Sequence, residues 1–187
     1  MRGITLAQSV VVAIIGIVGG GLAIYTQWPH KTTESVALAA TVKPGLTLEQ
    51  FIESSCLTPT GCGNYTPELL KMRVVSVAAN VSQIVGYEGK QLLVTWRMEE
   101  TDGGAPVGRM KQRFFKATLN SDQQDLQPQW LPLPQQEGRF YVEVTLYYPK
   151  TGRKIVATCT PDFDVSRSQP SGPLKGSGGQ GQPHSCT

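Results

Sequence analysis

The segment RFYVEVTLYY (139–148), the turn PKTG (149–152) and the segment RKIVATCT (153–160) decide the fold. Successive side chains of an extended chain point to opposite faces. Phe140, Val142, Val144 and Leu146 therefore make one apolar face, and Tyr141, Glu143, Thr145 and Tyr147 make the other. That alternation, interrupted by Pro149 to Gly152, predicts an antiparallel hairpin with one face on a core. Upstream, MRVVSVAANV (72–81) and KQLLVTWRM (90–98) are rich in the β-branched and aromatic residues that suit a pleated surface. Asp102-Gly103-Gly104 supplies a turn into VGRMKQRFFKATL (107–119). The Pro-rich stretch SDQQDLQPQWLPLPQQ (121–136) reads as a polar loop excursion over residues 121–137, pinned by Trp130 and Leu133. The expectation for residues 67–165 is a small antiparallel β domain, sheet or sandwich, of five to seven strands.

Residues 31–66 read as a linker containing one short helix. HKTTESVALAATVK (30–43) has good helix formers in its second half and stops at Lys43-Pro44-Gly45, so it either extends a preceding helix or runs as an extended connection. Thr47 and Gln50 have capping-box spacing, and Leu46 and Phe51 occupy staple positions, which predicts a helix over 48–55. CLTPTGCGNYT (56–66) is loop chemistry throughout.

Between Ile4 and Pro29 the chain carries no Asp, Glu, Lys or Arg. A helix needs about 20 apolar residues to cross a hydrocarbon core of about 30 Å, and Ile4 to Trp28 suffices for one crossing. Tyr25 and Trp28 lie at its end, where amphipathic rings favour the membrane boundary. A cleaved secretory signal is the rival reading, with Gly21 and Ala23 as small cleavage-site residues. Retention is favoured because the apolar run continues to Tyr25 and the leader is almost uncharged. Residues 1–30 are thus expected to be leader and transmembrane helix. From Ser166 onward the composition is mostly Gly, Ser, Pro and Gln, which predicts a flexible tail over 166–187. The expected class is α+β: an N-terminal transmembrane helix, a small antiparallel β domain and a disordered C-terminal tail.

Charge excludes one class of partner. Arg2, Arg167 and Lys175 lie outside residues 31–165, which leaves 14 basic against 14 acidic side chains there. A neutral domain offers no footprint for a nucleic-acid backbone. The four cysteines all follow the apolar segment, and an even count favours an oxidising compartment for the domain. Cys56 and Cys62 bracket a short loop suited to a local bridge, which leaves Cys159 and Cys186 to pair by default. The alternative, a metal site using His184 and Cys186, lacks CxxC spacing and is set aside, so no metal or cofactor is expected.

Within the apolar segment, Ser9, Ala13, Gly16, Gly20, Ala23 and Gln27 recur at helical spacing and form one seam of mostly small residues. Gly16 and Gly20 make a GxxxG pair, and in lipid such close backbone approach is a main source of helix association. The implied partners are membrane lipid and either a second copy or another membrane protein. GITLAQSVVVAIIGI (3–17) resembles the N-terminus of type IV pilins and pseudopilins. On that resemblance Gly3 ends a leader, Ile4 is the mature N-terminus, Thr5 and Leu6 match, and Gln8 stands where the family usually has Glu. The resemblance implies a long N-terminal helix bundled in a filament core, a β head outside it, and often a C-terminal disulfide.

Arg109, Lys111, Arg113 and Lys116 beside Phe114 and Phe115 form a basic strip, read chiefly as a solvated strand face countered by Glu99 and Glu100 across the hairpin. A strip for an anionic partner or lipid headgroups is the sharper reading. Asn64-Tyr65-Thr66 and Asn80-Val81-Ser82 match the glycosylation acceptor pattern. The only histidines, His30 and His184, sit on no rigid scaffold, so no catalytic residues are assigned. The function expected is a non-enzymatic, single-pass membrane subunit with its C-terminal domain periplasmic or extracellular. The alternative is a membrane-tethered, immunoglobulin-like binding module that contacts a protein through the 121–137 excursion.

Overall fold

The computed structural model describes residues 34–55, 65–103, 105–118 and 123–186. In chain order these form β1 (Ser35–Thr47), α1 (Leu48–Ser55), α2 (Pro67–Leu70), β2 (Arg73–Val85), β3 (Gln91–Glu100), β4 (Pro106–Lys116), β5 (Gln123–Pro132), β6 (Gly138–Tyr148), β7 (Arg153–Cys159), β8 (Phe163–Arg167) and β9 (Leu174–Gly178). One sheet has the order β1-β2-β5. The other runs β4-β3-β6-β8-β9, with β7 also paired to β6, and every pairing is antiparallel.

The two sheets enclose one core. Val75, Val77 and Val81 from the first meet Val94, Trp96, Val142 and Val144 from the second in a single buried cluster. The hairpin stands as its alternation predicts, with Phe140, Val142, Val144 and Leu146 all fully buried. Burying each contributes about 1.5–3 kcal/mol of transfer free energy. The capping box also forms as spaced. The Thr47 N–H donates to Gln50 Oε1 at 2.9 Å, and the Gln50 N–H donates to Thr47 Oγ1 at 3.2 Å. Helix α1 lays Leu48 and Phe51 on Val74, with Leu46, Ile52 and Trp130 partly buried around them.

The α+β expectation is corrected. Strands take up 61% of the described residues and helices 9%, in two antiparallel sheets. No helix among the described residues is long and apolar enough to cross a membrane, and the expected transmembrane helix at residues 1–30 lies outside them. The Ala-rich segment before Pro44 is not helical but forms β1, with Val36, Leu38, Ala40 and Val42 against the core. Pro44 and Gly45 do not end it, because they sit at a shift in the β1–β2 register where Gly45 takes φ +84°. A bulge supplies the place where such residues fit a strand.

The 121–137 excursion is likewise not a loop: Gln123–Pro132 is β5, paired to β2. Its register shifts between Val77 and Ala79, whose partners are Gln129 and Leu126, so Gln127 and Pro128 form the bulge. The extra residue returns both Leu126 and Leu131 to the core side.

The tail expected to be disordered is ordered. β9 pairs with β8 over Phe163–Gly178 and Arg167–Leu174, and Cys186 is bonded to Cys159 with their Cα atoms 5.7 Å apart. Its glycines serve contact rather than freedom. A Cβ on Gly176 would come within 3.0 Å of the Gly45 nitrogen, and one on Gly179 within 2.9 Å of the Val42 carbonyl. The tail thus passes backbone to backbone over β1, which only glycine permits.

Candidate functional site

The sites expected from sequence divide in two. Gly3, Ile4, Gln8, the seam Ser9, Ala13, Gly16, Gly20, Ala23 and Gln27, and the Cys56–Cys62 loop with Asn64 lie outside the described residues. Cys159 and Cys186 are brought together as a disulfide. Asn80 lies within β2, half-buried, opposite Ala39 of β1 and Asp125 of β5.

Three groups of polar side chains stand out. The first lies on the outer face of the second sheet, where β3 and β6 place Glu99 opposite Tyr141 and Arg97 opposite Glu143. Arg97 bridges Glu99 and Glu143, at 2.6 Å to each, and Lys154 reaches Glu143 at 3.6 Å. Tyr141 Oη donates to Glu99 Oε2 at 2.5 Å. Burial, then the hydrogen bond and charge of Glu99, push the Tyr141 hydroxyl up to about 12. At Glu143 burial raises the carboxyl, but bonds from Thr145 and Arg97 with the charges of Arg97 and Lys154 outweigh it and hold it below the ordinary range.

His184 lies on this face too. Its ring stacks on Tyr141 with centroids 4.0 Å apart, its backbone N–H donates to the Thr160 carbonyl at 3.1 Å, and its Nδ1 lies 2.9 Å from Asp162 Oδ1. His184 is therefore held in place, contrary to its reading as a residue of a loose tail. The disulfide two residues on is what brings it there.

The second group sits where the described chain begins. Glu34 accepts from Arg153 Nη2 at 2.5 Å and from Tyr87 Oη at 2.9 Å, with Lys90 at 3.7 Å. The Arg153 bond, then that of Tyr87, lowers the Glu34 carboxyl. Lys90 also stands over the rings of Tyr87 and Tyr148, at 5.1 and 5.7 Å from their centroids. Glu34 is thereby clamped to β7 and to the β2–β3 connection.

The third group is the basic strip of β4, and here the expected neutralisation fails. Glu99 is taken by Arg97 and Tyr141, while Arg109, Lys111, Arg113 and Lys116 make no ion pair among the described residues. The reason is the register. Lys111 and Arg113 lie opposite Trp96 and Val94, on the core side of the sheet, whereas Glu99 shares the outer face with Tyr141. The Lys111 ammonium instead rests 3.4 Å from the Trp130 ring centroid, and burial lowers its affinity for the proton. Arg113 donates to the Gln127 side chain.

β4 and β5 are terminal strands of their sheets and flank the same open side of the sandwich. A cavity of about 350 Å³ opens there, lined by Met98, Val107, Arg109, Leu131, Leu133 and Gln136 among others. On β4, Met110 and Phe114 are 53% and 52% exposed, and they are large apolar side chains left in water. Composition alone identified the basic strip. That its cations would be unpaired depended on the strand register, which no local pattern encodes.

Compared with known proteins, the chain matches no protein-family model, no curated protein and no solved structure.

Proposed function

We propose that this chain is a non-enzymatic assembly subunit, attached to a membrane through residues 4–28, with its β sandwich outside the cytoplasm. The Cys159–Cys186 bond carries the reading, because such bonds persist in oxidising compartments. The uncharged run from Ile4 to Trp28 supports attachment to lipid, and the small-residue seam from Ser9 to Gln27 supports packing against a second copy or another membrane protein. The Glu34 clamp is consistent with it, since it fixes the first described residue to the sandwich shortly after that segment in the sequence. In the pilin-like form, processing after Gly3 leaves Ile4 as the first residue.

Detergent-extracted protein tests this directly. The expected result is membrane-bound protein with domain epitopes accessible from outside the cell, and oligomers that disappear in a Gly16→Leu/Gly20→Leu variant without loss of insertion. N-terminal sequencing should read Ile4. Freely soluble material trimmed near Ala23 refutes attachment, and oligomers unchanged by the double substitution refute the seam.

A further inference from the structure

We infer that the open flank between β4 and β5 is a docking surface for an extended, acidic and partly apolar segment of a protein partner. The surface would act whether or not residues 4–28 cross a bilayer. The first support is the distribution of charge. Arg97, Lys154, Arg139, Arg153, Lys90 and Arg167 each have a carboxylate partner within 4.0 Å. The four cations of β4 have none among the described residues, and no other strand holds more than one unpaired cation. An arginine fork matches a carboxylate in two bonds, so Arg109 and Arg113, four residues apart on β4, are suited to acidic side chains at the same spacing on an extended chain, with one between them for Lys111.

The second support is the cavity beside Arg109. Val107, Leu131 and Leu133 give it apolar walls, and Gly108 at φ +75° has open space where a Cβ would stand. An aliphatic side chain of the docked segment fits there. Met98, which lies at the floor of the cavity, and the partly buried Val107 extend the apolar contact on the same side of β4. A lipid surface would satisfy the cations but leave a cavity between two edge strands without an occupant, which favours the peptide.

The test uses the full chain in detergent and a fluorescein-labelled decapeptide of alternating glutamate and valine, followed by fluorescence anisotropy. Saturable binding is expected, at least tenfold weaker for the lysine–valine and glutamate–glycine decapeptides. Arg109→Glu/Arg113→Glu should weaken binding at least tenfold with an unchanged circular dichroism spectrum, and Lys116→Glu, opposite Gln91 on the other face of β4, should weaken it less. Raising the salt from 50 to 300 mM should weaken binding to the wild type more than to the double variant. No saturation by millimolar peptide, equal binding of the lysine–valine peptide, or equal binding by the charge-reversed variants overturns the inference. So does capture by phosphatidylglycerol vesicles in the absence of peptide binding.

Discussion

Replacing both Cys159 and Cys186 by alanine should destabilise the sandwich by about 3.5 kcal/mol, and that figure follows from the topology. The bond closes a loop across a sequence separation of 27 residues. Loop-closure entropy for that length is about 12 cal/mol/K, or about 3.5 kcal/mol at 25 °C. Alanine is the right replacement because Cys159 is 2% exposed, and serine would bury a hydroxyl there. Reductant is a poorer perturbation, since Cys56 and Cys62 would be exposed to it as well. For a domain of about 150 residues the loss corresponds to a fall in melting temperature of roughly 7–14 °C. Thermal unfolding of the full chain by circular dichroism, with urea titration at 25 °C, measures both. A loss below about 1 kcal/mol would refute the reasoning, for it would mean that the tail is held by its glycine contacts to β1 and its pairing to β8 without help from the bond.

Two predictions concern the outer face of the second sheet. The Tyr141 hydroxyl is raised in the folded state, so its contribution is complete below about pH 10 and lost as pH rises through about 12. Tyr141→Phe should remove that part of the alkaline unfolding and cost about 1–3 kcal/mol at neutral pH, as it strips a donor from the buried Glu99; urea titrations from pH 7 to 12 measure both. Glu143 is lowered, so its contribution is complete above the ordinary carboxylate range and lost as pH falls through its lowered value. Glu143→Gln should flatten the fall in stability as pH drops below the ordinary carboxylate range, measured by urea titrations at acid pH, and an unchanged slope would locate the acid sensitivity elsewhere.

Much of the sandwich was legible where one local rule acted alone. The alternation of Phe140 to Leu146 met no conflicting signal, and neither did the Thr47–Gln50 box. The misread segments are those where a breaker residue sits inside a strand. Pro44-Gly45 and Gln127-Pro128 resemble terminators, and each occupies a bulge that a ladder tolerates. In β1 the alternation of Val36, Leu38, Ala40 and Val42 was present, but intervening alanines gave the segment a helical composition. The tail failed for another reason. Glycine content signals disorder when no partner is known, and Gly176 and Gly179 are required by their approach to β1, more than 130 residues away in sequence.

The neutral total of the domain conceals how its charges are arranged, and register is the cause. Glu99 and Arg97 lie two apart on one strand and therefore share a face, which lets them pair at 2.6 Å. Glu143 lies opposite Arg97, and Lys154 reaches it from β7, which completes a neutral patch that holds Glu99 and Glu143 away from β4. Along β4, Arg109, Lys111 and Arg113 alternate, about 7 Å apart at strand spacing. That is within the screening length of about 8 Å at physiological salt, so these cations repel one another. Contact with Trp130 and Gln127 relieves Lys111 and Arg113 only in part, because neither neighbour carries a negative charge. A carboxylate-bearing segment laid along the flank would cancel the repulsion and fill the cavity walled by Val107, Leu131 and Leu133 at the same time, two gains that a single acidic or a single apolar contact would not provide together.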